Sequence, residues 1–531
     1  MTEGVSNAQW AGRLVDTLVA AGVDTFCMAP GSRSTPLVVA VASRSDLQTF
    51  VHIDERGLGF FALGVAKGGG RPVAVITTSG TAVANLVPAV VEASTDGIVL
   101  IVLSADRPPH LAESGANQTI RQPGLFSHFI RGELNLPLPS EAGLPELVDQ
   151  VGACLAKARG HKPGPVHVNC PFEEPLYEQA VAPFALPPSP VSAPDIPPFP
   201  TWNPDTSQSV LVIGQLDDES DRLAAERIAR GLGWPVMADV TSGLRCHTLP
   251  NLVSYHDLLL GIKKAWKTPS AILHIGGRLT SKAYLDWITA LRPAVLHVPT
   301  WDATWDPAGL SPVRVVGPLT AFAEPILALG PCDPAWTAGW LTDNAAVATQ
   351  VEKIASGKTW SLVHLAQALG RLPLRLQLFV GNSSAIRLLD RYTIFDGPRR
   401  VWANRGASGI DGTLATAMGV AQGAQAPVLM LVGDLAALHD MNSLLMAKDL
   451  RWPVVFVVLN NQGGGIFQSL PVREFDQFER YFKTPHDLSF QKMADLFNLN
   501  YAVADTAAAF ESALENCRQA RVSTLIEIPI R

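Results

Sequence analysis

VLMLVGDLAALHD (residues 428–440) and WPVVFVVLNNQGGGIF (residues 452–467) decide the fold. Each opens with an apolar run of strand length and closes on polar, turn-forming residues, and a helix-length segment lies between the two runs. Two parallel strands joined through a helix bring Asp434 and Asn461 to the same C-terminal edge of one sheet, the edge where phosphorylated groups dock in open α/β folds. One carboxylate, one side-chain amide and a glycine-rich turn, Gln462 to Gly465, suit a hard cation held against a diphosphate. Mg2+ takes few protein oxygens and leaves the rest of its octahedron to phosphate and water. The Gly463 carbonyl is a candidate third ligand. A helix expected to start near Ala436 would turn its positive end toward the phosphates. The plainer alternative is Asp434 as a helix cap.

The same rhythm runs outward through the chain. VDTFCMAP, PVAVITTSG, GIVLIVLSAD, GPVHVNCP, SVLVIG, AILHIGG and LQLFVGNS are short apolar runs ending in Gly, Pro, Ser, Asn or Asp, with helical patterns between them. The expected fold class is therefore α/β, with three doubly wound parallel-sheet domains. Residues 183–204 contain nine prolines and read as a linker. A weaker break is expected near 327–345. The resulting segments are 1–182, 205–328 and 346–531, a number that fits 531 residues at roughly 150 per domain. The middle segment lacks GxGxxG after SVLVIG, which argues against a dinucleotide site and so against an oxidoreductase.

Charged residues are only 17% of the chain, which fits either a large core or extensive subunit contact. The net charge of −7 gives no basic field for nucleic acid. Six scattered cysteines without CxxC spacing read as reduced thiols of a cytoplasmic protein. The polar N-terminus and the short apolar runs give no expectation of export or of a membrane span.

Further motifs carry chemistry. Glu55 lies between the run TFVHID and an apolar, small-residue helix, where it could also simply face the helix dipole. APGSRSTPL (29–37) is a strand-to-helix turn with Ser32 and Arg33 at its tip. In SADRPPHLAESGANQTIRQPGLF (104–126) Arg107, Asn117, Gln118 and Arg121 gather on a stiff loop, a composition closer to carboxylate recognition than to a solvated face.

Taken together, GSRSTP, DERGLG, TSGTAVANL, ADRPP, GANQTIRQPG, NCPF, GNSSAIRLLD, NRGASGIDG, GDLAALHD and NNQGGGIF resemble one family. It is the 2-succinyl-5-enolpyruvyl-6-hydroxy-3-cyclohexene-1-carboxylate (SEPHCHC) synthases of menaquinone biosynthesis, which depend on thiamine diphosphate (ThDP). The middle segment matches mainly in architecture, plus GGRLTSK. The resemblance implies a pyrimidine-binding domain at 1–182, a central Rossmann-like domain at 205–328 and a diphosphate-binding domain at 346–531. It implies ThDP with Mg2+ or Mn2+, and a homodimer or homotetramer with active sites shared between subunits.

The implied reaction decarboxylates 2-oxoglutarate and adds the succinyl carbanion 1,4 to isochorismate. Glu55 matches the carboxylate that bonds the cofactor pyrimidine. Ile466 matches its apolar prop, and Asp434, Asn461 and Gly463 match the metal ligands. Ser383, Gly433 and Leu435 border the cofactor. Both substrates carry two carboxylates, and Arg33, Arg107, Arg387 and Arg405, with Ser32, Gln118, Lys282 and Ser383, match the substrate contacts. Two positions depart from the pattern: Ala436 stands where a hydroxyl residue is common after GDL, and Ala283 where some members have a second basic residue. Other readings are another ThDP-dependent 2-oxoacid decarboxylase or carboligase, and a non-catalytic ThDP-fold subunit.

Overall fold

Among the described residues the strands fall into three separate parallel sheets. This is a computed structural model, and it describes residues 5–187, 195–262, 266–310, 313–373, 376–519 and 522–530. The expected linker thus lies partly outside the described residues, at 188–194. In the first sheet β1 (Thr25–Met28), β2 (Gln48–Val51), β3 (Val73–Thr77), β4 (Leu100–Asp106), β5 (Gly132–Asn135) and β6 (Val166–Pro171) take the order β2-β1-β3-β4-β6-β5. The second holds β7 (Ser209–Ile213), β8 (Val236–Ala238), β9 (Ala271–Ile275), β10 (Ala294–Val298) and β11 (Val313–Arg314), ordered β11-β10-β9-β7-β8. In the third, β12 (Gln377–Val380), β13 (Val401–Trp402), β14 (Val428–Gly433), β15 (Val454–Asn460), β16 (Asn500–Val503) and β17 (Thr524–Pro529) run β13-β12-β14-β15-β17-β16. The first and third sheets therefore share one strand permutation. Fully buried β3, β4 and β15 explain why their sequences are continuous apolar runs without alternation.

These two sheets are joined through a helix crossing. Helix Glu55–Gly69 packs on helix Thr413–Gly423, and every residue from Gly57 to Lys67 is buried. A methyl group at Gly64 would overlap the Thr416 carbonyl oxygen, and one at Gly419 would overlap that of Phe61. The two backbones therefore touch, and residues of both helices belong to one hydrophobic cluster with β3, β4, β14 and β15.

The order of strands reverses at β7 and β9 in the middle sheet, the place where a doubly wound fold can open a ligand crevice. Here the chain fills it. Gly214 N donates to Ile275 O at 2.9 Å and Gly277 N to Gln215 O at 3.0 Å, and a side chain at Gly214 would strike the Gly277 carbonyl.

The stretch expected to be a weaker break is crossed by a helix, Pro334–Ala355. Asp333 caps it and Pro334 takes its first position, where no N–H is needed. Its Trp336 indole donates to Ser209 O at 3.0 Å, and Trp340 is buried in the middle cluster.

Candidate active site

At the C-terminal edge of the third sheet, Asp434 follows β14 and is 2% exposed. The helix begins at Asp434 itself, two residues ahead of the expected Ala436, because Gly433 is extended and serves as its N-cap. Asp434 Oδ1 accepts from Leu435 N at 2.7 Å, and Oδ2 accepts from Gly463 N at 2.9 Å. The two asparagines after β15 divide. Asn460 turns back to the sheet, donating to Glu527 Oε1 at 2.8 Å. Asn461 faces Asp434.

The Asn461 amide oxygen lies 2.7 Å from the Gly463 carbonyl oxygen, and 3.0 and 3.3 Å from Asp434 Oδ2 and Oδ1. Oxygens packed this closely repel, and the turned-over amide satisfies every contact without a cation: its nitrogen donates to Gly463 O and the Asp434 carboxylate, and its oxygen accepts from Gly465 N at 3.3 Å. With the oxygen turned inward the same three residues would offer a cation an amide, a carbonyl and a carboxylate oxygen. Neighbouring ligand oxygens in an octahedron with Mg–O bonds of ~2.1 Å are about 3 Å apart, so this donor set fits a hard cation. Among the described residues no group of three or more His, Cys, Asp or Glu could hold a metal. His486 Nε2 approaches Asp434 Oδ2 to 3.3 Å without hydrogen-bond alignment. At Gly463 φ is 143°, and a side chain there would overlap the Lys483 carbonyl, so the turn requires glycine. Ile466 follows in a short helical turn, half-buried and outside the core.

A second constellation gathers at the tips of β1, β3 and β4. Arg33 is buried and donates to Phe172 O at 3.0 Å. Burial, and next the charge of Arg107, pull its guanidinium below its ordinary range, so the two arginines face one region. Arg107 is fastened by Asn117 O, 2.9 Å from Nη2. Gln118, at φ 58°, donates to Ser79 O at 3.1 Å and accepts from Ser79 Oγ at 2.9 Å through its own carbonyl. Ser32 is exposed at the tip of its turn. Glu55, the first residue of its helix, accepts from Asn85 Nδ2 at 3.2 Å. Its neighbour Arg56 donates to His439 O at 2.9 Å. Arg56 thus ties the start of this helix to the far end of the Asp434–His439 helix from the oxygen cluster.

The third constellation is a cavity of 380 Å³ between the middle and last sheets, lined by Arg278, Lys282, Arg387 and Arg405. Arg405 Nη1 donates to Asn382 Oδ1 at 2.8 Å, and Arg387 Nη1 to Ser383 O at 2.7 Å. Burial, then the charge of Arg405, lower the Arg387 guanidinium from its ordinary value. Ser383 has φ 64° and ψ −127°, a strained conformation for a residue with a side chain. Lys282 is mostly exposed and pairs with Asp286 at 2.8 Å on its own helix. The sequence motifs do not single out Arg278, Asn382, Glu92 or Lys67, which fix this region from other elements. GGRLTSK and GNSS carry the first two in plain view, but their partners lie far away in sequence.

Three family models match the chain: the N-terminal thiamine pyrophosphate binding domain at residues 9–125, the middle domain of thiamine pyrophosphate enzymes at 197–380, and the C-terminal binding domain at 380–528. The middle match runs past the boundary expected at 346. A SEPHCHC synthase of Rubrobacter xylanophilus is 40% identical over 98% of this chain and 95% of that protein. That of Salinibacter ruber is 38% identical over 98% and 93%, and that of Aeromonas salmonicida 38% over 99% and 95%. The oxygen cluster, the carboxylate-lined helix start and the arginine cavity are thus found in a chain that belongs to the SEPHCHC synthase family of ThDP-dependent enzymes.

Proposed function

We infer that this ThDP-dependent transferase makes its succinyl-cyclohexene product from 2-oxoglutarate and isochorismate, with release of CO2. The observation that carries the reading is the convergence of Arg387 and Arg405, with Arg278 and Lys282, on one cavity. Bound ThDP supplies the carbanion stabilisation that decarboxylation of a 2-oxo acid needs. Asp434, the Asn461 amide and the Gly463 carbonyl hold Mg2+ or Mn2+ against its diphosphate, with Gly433 and Leu435 alongside. Glu55 holds a proton at the pyrimidine ring nitrogen, and Ile466 supports the cofactor from its apolar side. Ser383 borders cofactor and substrate.

Arg387, Arg405 and Lys282 bind carboxylates from one side, and Ser32, Arg33, Arg107 and Gln118 from the other. Fixed guanidiniums suit this work because they bind carboxylates in a defined orientation and exclude water from the charge pair. Lys282 must leave Asp286 to take part. The assignment of 1–182 to pyrimidine binding, 205–328 to the centre and 346–531 to diphosphate binding belongs to the same proposal.

Active sites are completed by a second copy of the chain. Val51 and Ile53 are exposed beside Glu55, and Leu470, Phe475, Tyr481 and Leu488 are exposed in the segment after the glycine turn, so both site-bearing edges present apolar surface. Among the described residues no helix is long and apolar enough to cross a membrane. The six free cysteines suit the reducing cytoplasm. The test is a two-substrate assay with product mass. Consumption of both substrates with CO2 release supports the reading. Release of a free aldehyde regardless of isochorismate would replace it with a plain decarboxylase.

A further inference from the structure

We propose that Glu92 is a positioning residue for Arg405, fastening the loop that presents this arginine to substrate; the inference rests on Arg405 being a substrate contact. Glu92 lies on helix Val87–Thr95, which packs on helix Glu55–Gly69, and is 2% exposed. Its carboxylate reaches across to the last domain and accepts three consecutive backbone amides. Gly406 N donates to Oε1 at 2.7 Å, Ala407 N to Oε2 at 2.7 Å and Ser408 N to Oε2 at 3.3 Å. Successive N–H groups around one anion form a concave cradle, and bonds to an ionised acceptor are roughly twice as strong as neutral ones.

The approach is close as well as polar. A side chain at Gly406 would overlap Thr95 Oγ1 on the same helix, so the loop lies directly against the turn that carries Glu92.

Other groups hold the loop from the remaining sides. Lys67 Nζ donates to Ala403 O at 2.8 Å and pairs with Asp96, one turn beyond Glu92, at 2.6 Å. Arg278 of the middle domain donates to Arg405 O and, at 2.8 Å, to Gly406 O. Asn382 Nδ2 binds Asn404 O and Gly409 O at 2.8 Å each, while its oxygen receives Arg405 Nη1. Lys67 and Arg278 thus fasten carbonyls, and Glu92 fastens the amides immediately after Arg405. Without the carboxylate, three amides lose their acceptor, and the peptide that aims the Arg405 side chain loses its restraint on one face. Glu92 touches no reactant; its effect passes through Arg405.

The experiment uses the full-length holoenzyme and compares Glu92→Gln, Glu92→Asp, Arg405→Ala and Glu92→Gln/Arg405→Ala. Steady-state kinetics for both substrates, ThDP affinity and hydrogen exchange of residues 406–408 are read in each. The expected result is a rise of ~tenfold in KM for the dicarboxylate held by Arg405, with kcat, the other KM and ThDP affinity within about twofold. Exchange at Gly406–Ser408 should accelerate locally, Glu92→Asp should fall between wild type and Glu92→Gln, and the KM effect of Glu92→Gln should vanish once Arg405 is alanine. Additive effects in the double variant, or a loss spread over both substrates and the cofactor, would overturn the proposal. A normal KM in Glu92→Gln beside a raised KM in Arg405→Ala overturns the Glu92 role alone. Unchanged KM values in Arg405→Ala overturn the substrate reading and, with it, this one. Should Glu92→Gln fail to fold, Glu92→Asp decides the question through the same KM split.

Discussion

Asn461 is the residue at which, in the proposed function, cation and chain would meet, and its amide has two orientations of different chemistry. With its oxygen inward it completes a donor set; with its nitrogen inward it bonds Asp434 and Gly463 O. Asp434→Ala is expected to abolish Mg2+-dependent ThDP binding, read by calorimetric titration with and without the metal. Glu55→Gln should bind cofactor normally yet lose turnover by roughly 10²–10⁴-fold, the range for a lost proton-holding group; wild-type turnover in that variant would refute the assignment. His274, which donates through Nε2 to Gly277 O at 2.8 Å, is kept neutral in the fold. Burial, then the charge of His297, hold its pKa down to about 3. An unfolded histidine takes its proton near ~6.5, so stability falls as pH drops below that value, by up to roughly 1.4 kcal/mol per unit, until the folded pKa is reached. Thermal melts at falling pH should show this loss, with a shallower slope in His274→Gln. Asp434 and Asn461 are legible in the sequence because each ends a strand motif and the two motifs are near neighbours in the chain. Glu92 is not, because nothing near it in VVEASTDG points to amides 314 positions away.

Elements are readable wherever the hydrophobic period and the punctuation agree. β14 and β15 stand where their apolar runs lie, and Gly433 and Asn460 end them. The punctuation is ambiguous at GPCDPAWTAGW, where Asp333 and Pro334 start a helix. Pro at the first helical position sacrifices no bond, so a breaker and a starter look alike in sequence. In sequence the glycines of the Glu55–Gly69 helix are merely small residues; their purpose is visible in the partner helix. Gly64→Ala or Gly419→Ala should push two backbones apart and destabilise the protein by about 1–3 kcal/mol, the usual cost of overpacking. Denaturant titration would register it as a lowered midpoint with an unchanged slope.

At the scale of the whole molecule, an active site shared between two copies would have a quantitative signature. A chain carrying Glu55→Gln and a chain carrying Asp434→Ala are each inactive alone. If sites combine the first domain of one copy with the last domain of another, random mixed dimers contain one intact site and one doubly damaged site. Co-expression should then restore about a quarter of the wild-type activity per dimer. No recovery in verified mixed oligomers would mean that each chain builds its own site.

The crossing of helices Glu55–Gly69 and Thr413–Gly423 also constrains how the chain comes into being. The first helix is buried on all sides from Gly57 to Lys67, and the partner that covers its apolar middle is made roughly 340 residues later, a wait of about 20–70 s at elongation rates of about 5–20 residues per second. For that interval the nascent chain carries a sticky, unfinished surface, so the last domain to emerge from the ribosome is also what ends the first domain's exposure to misassociation. A fragment stopped before Thr413 keeps that surface indefinitely, and light scattering should find it aggregating where the full chain does not.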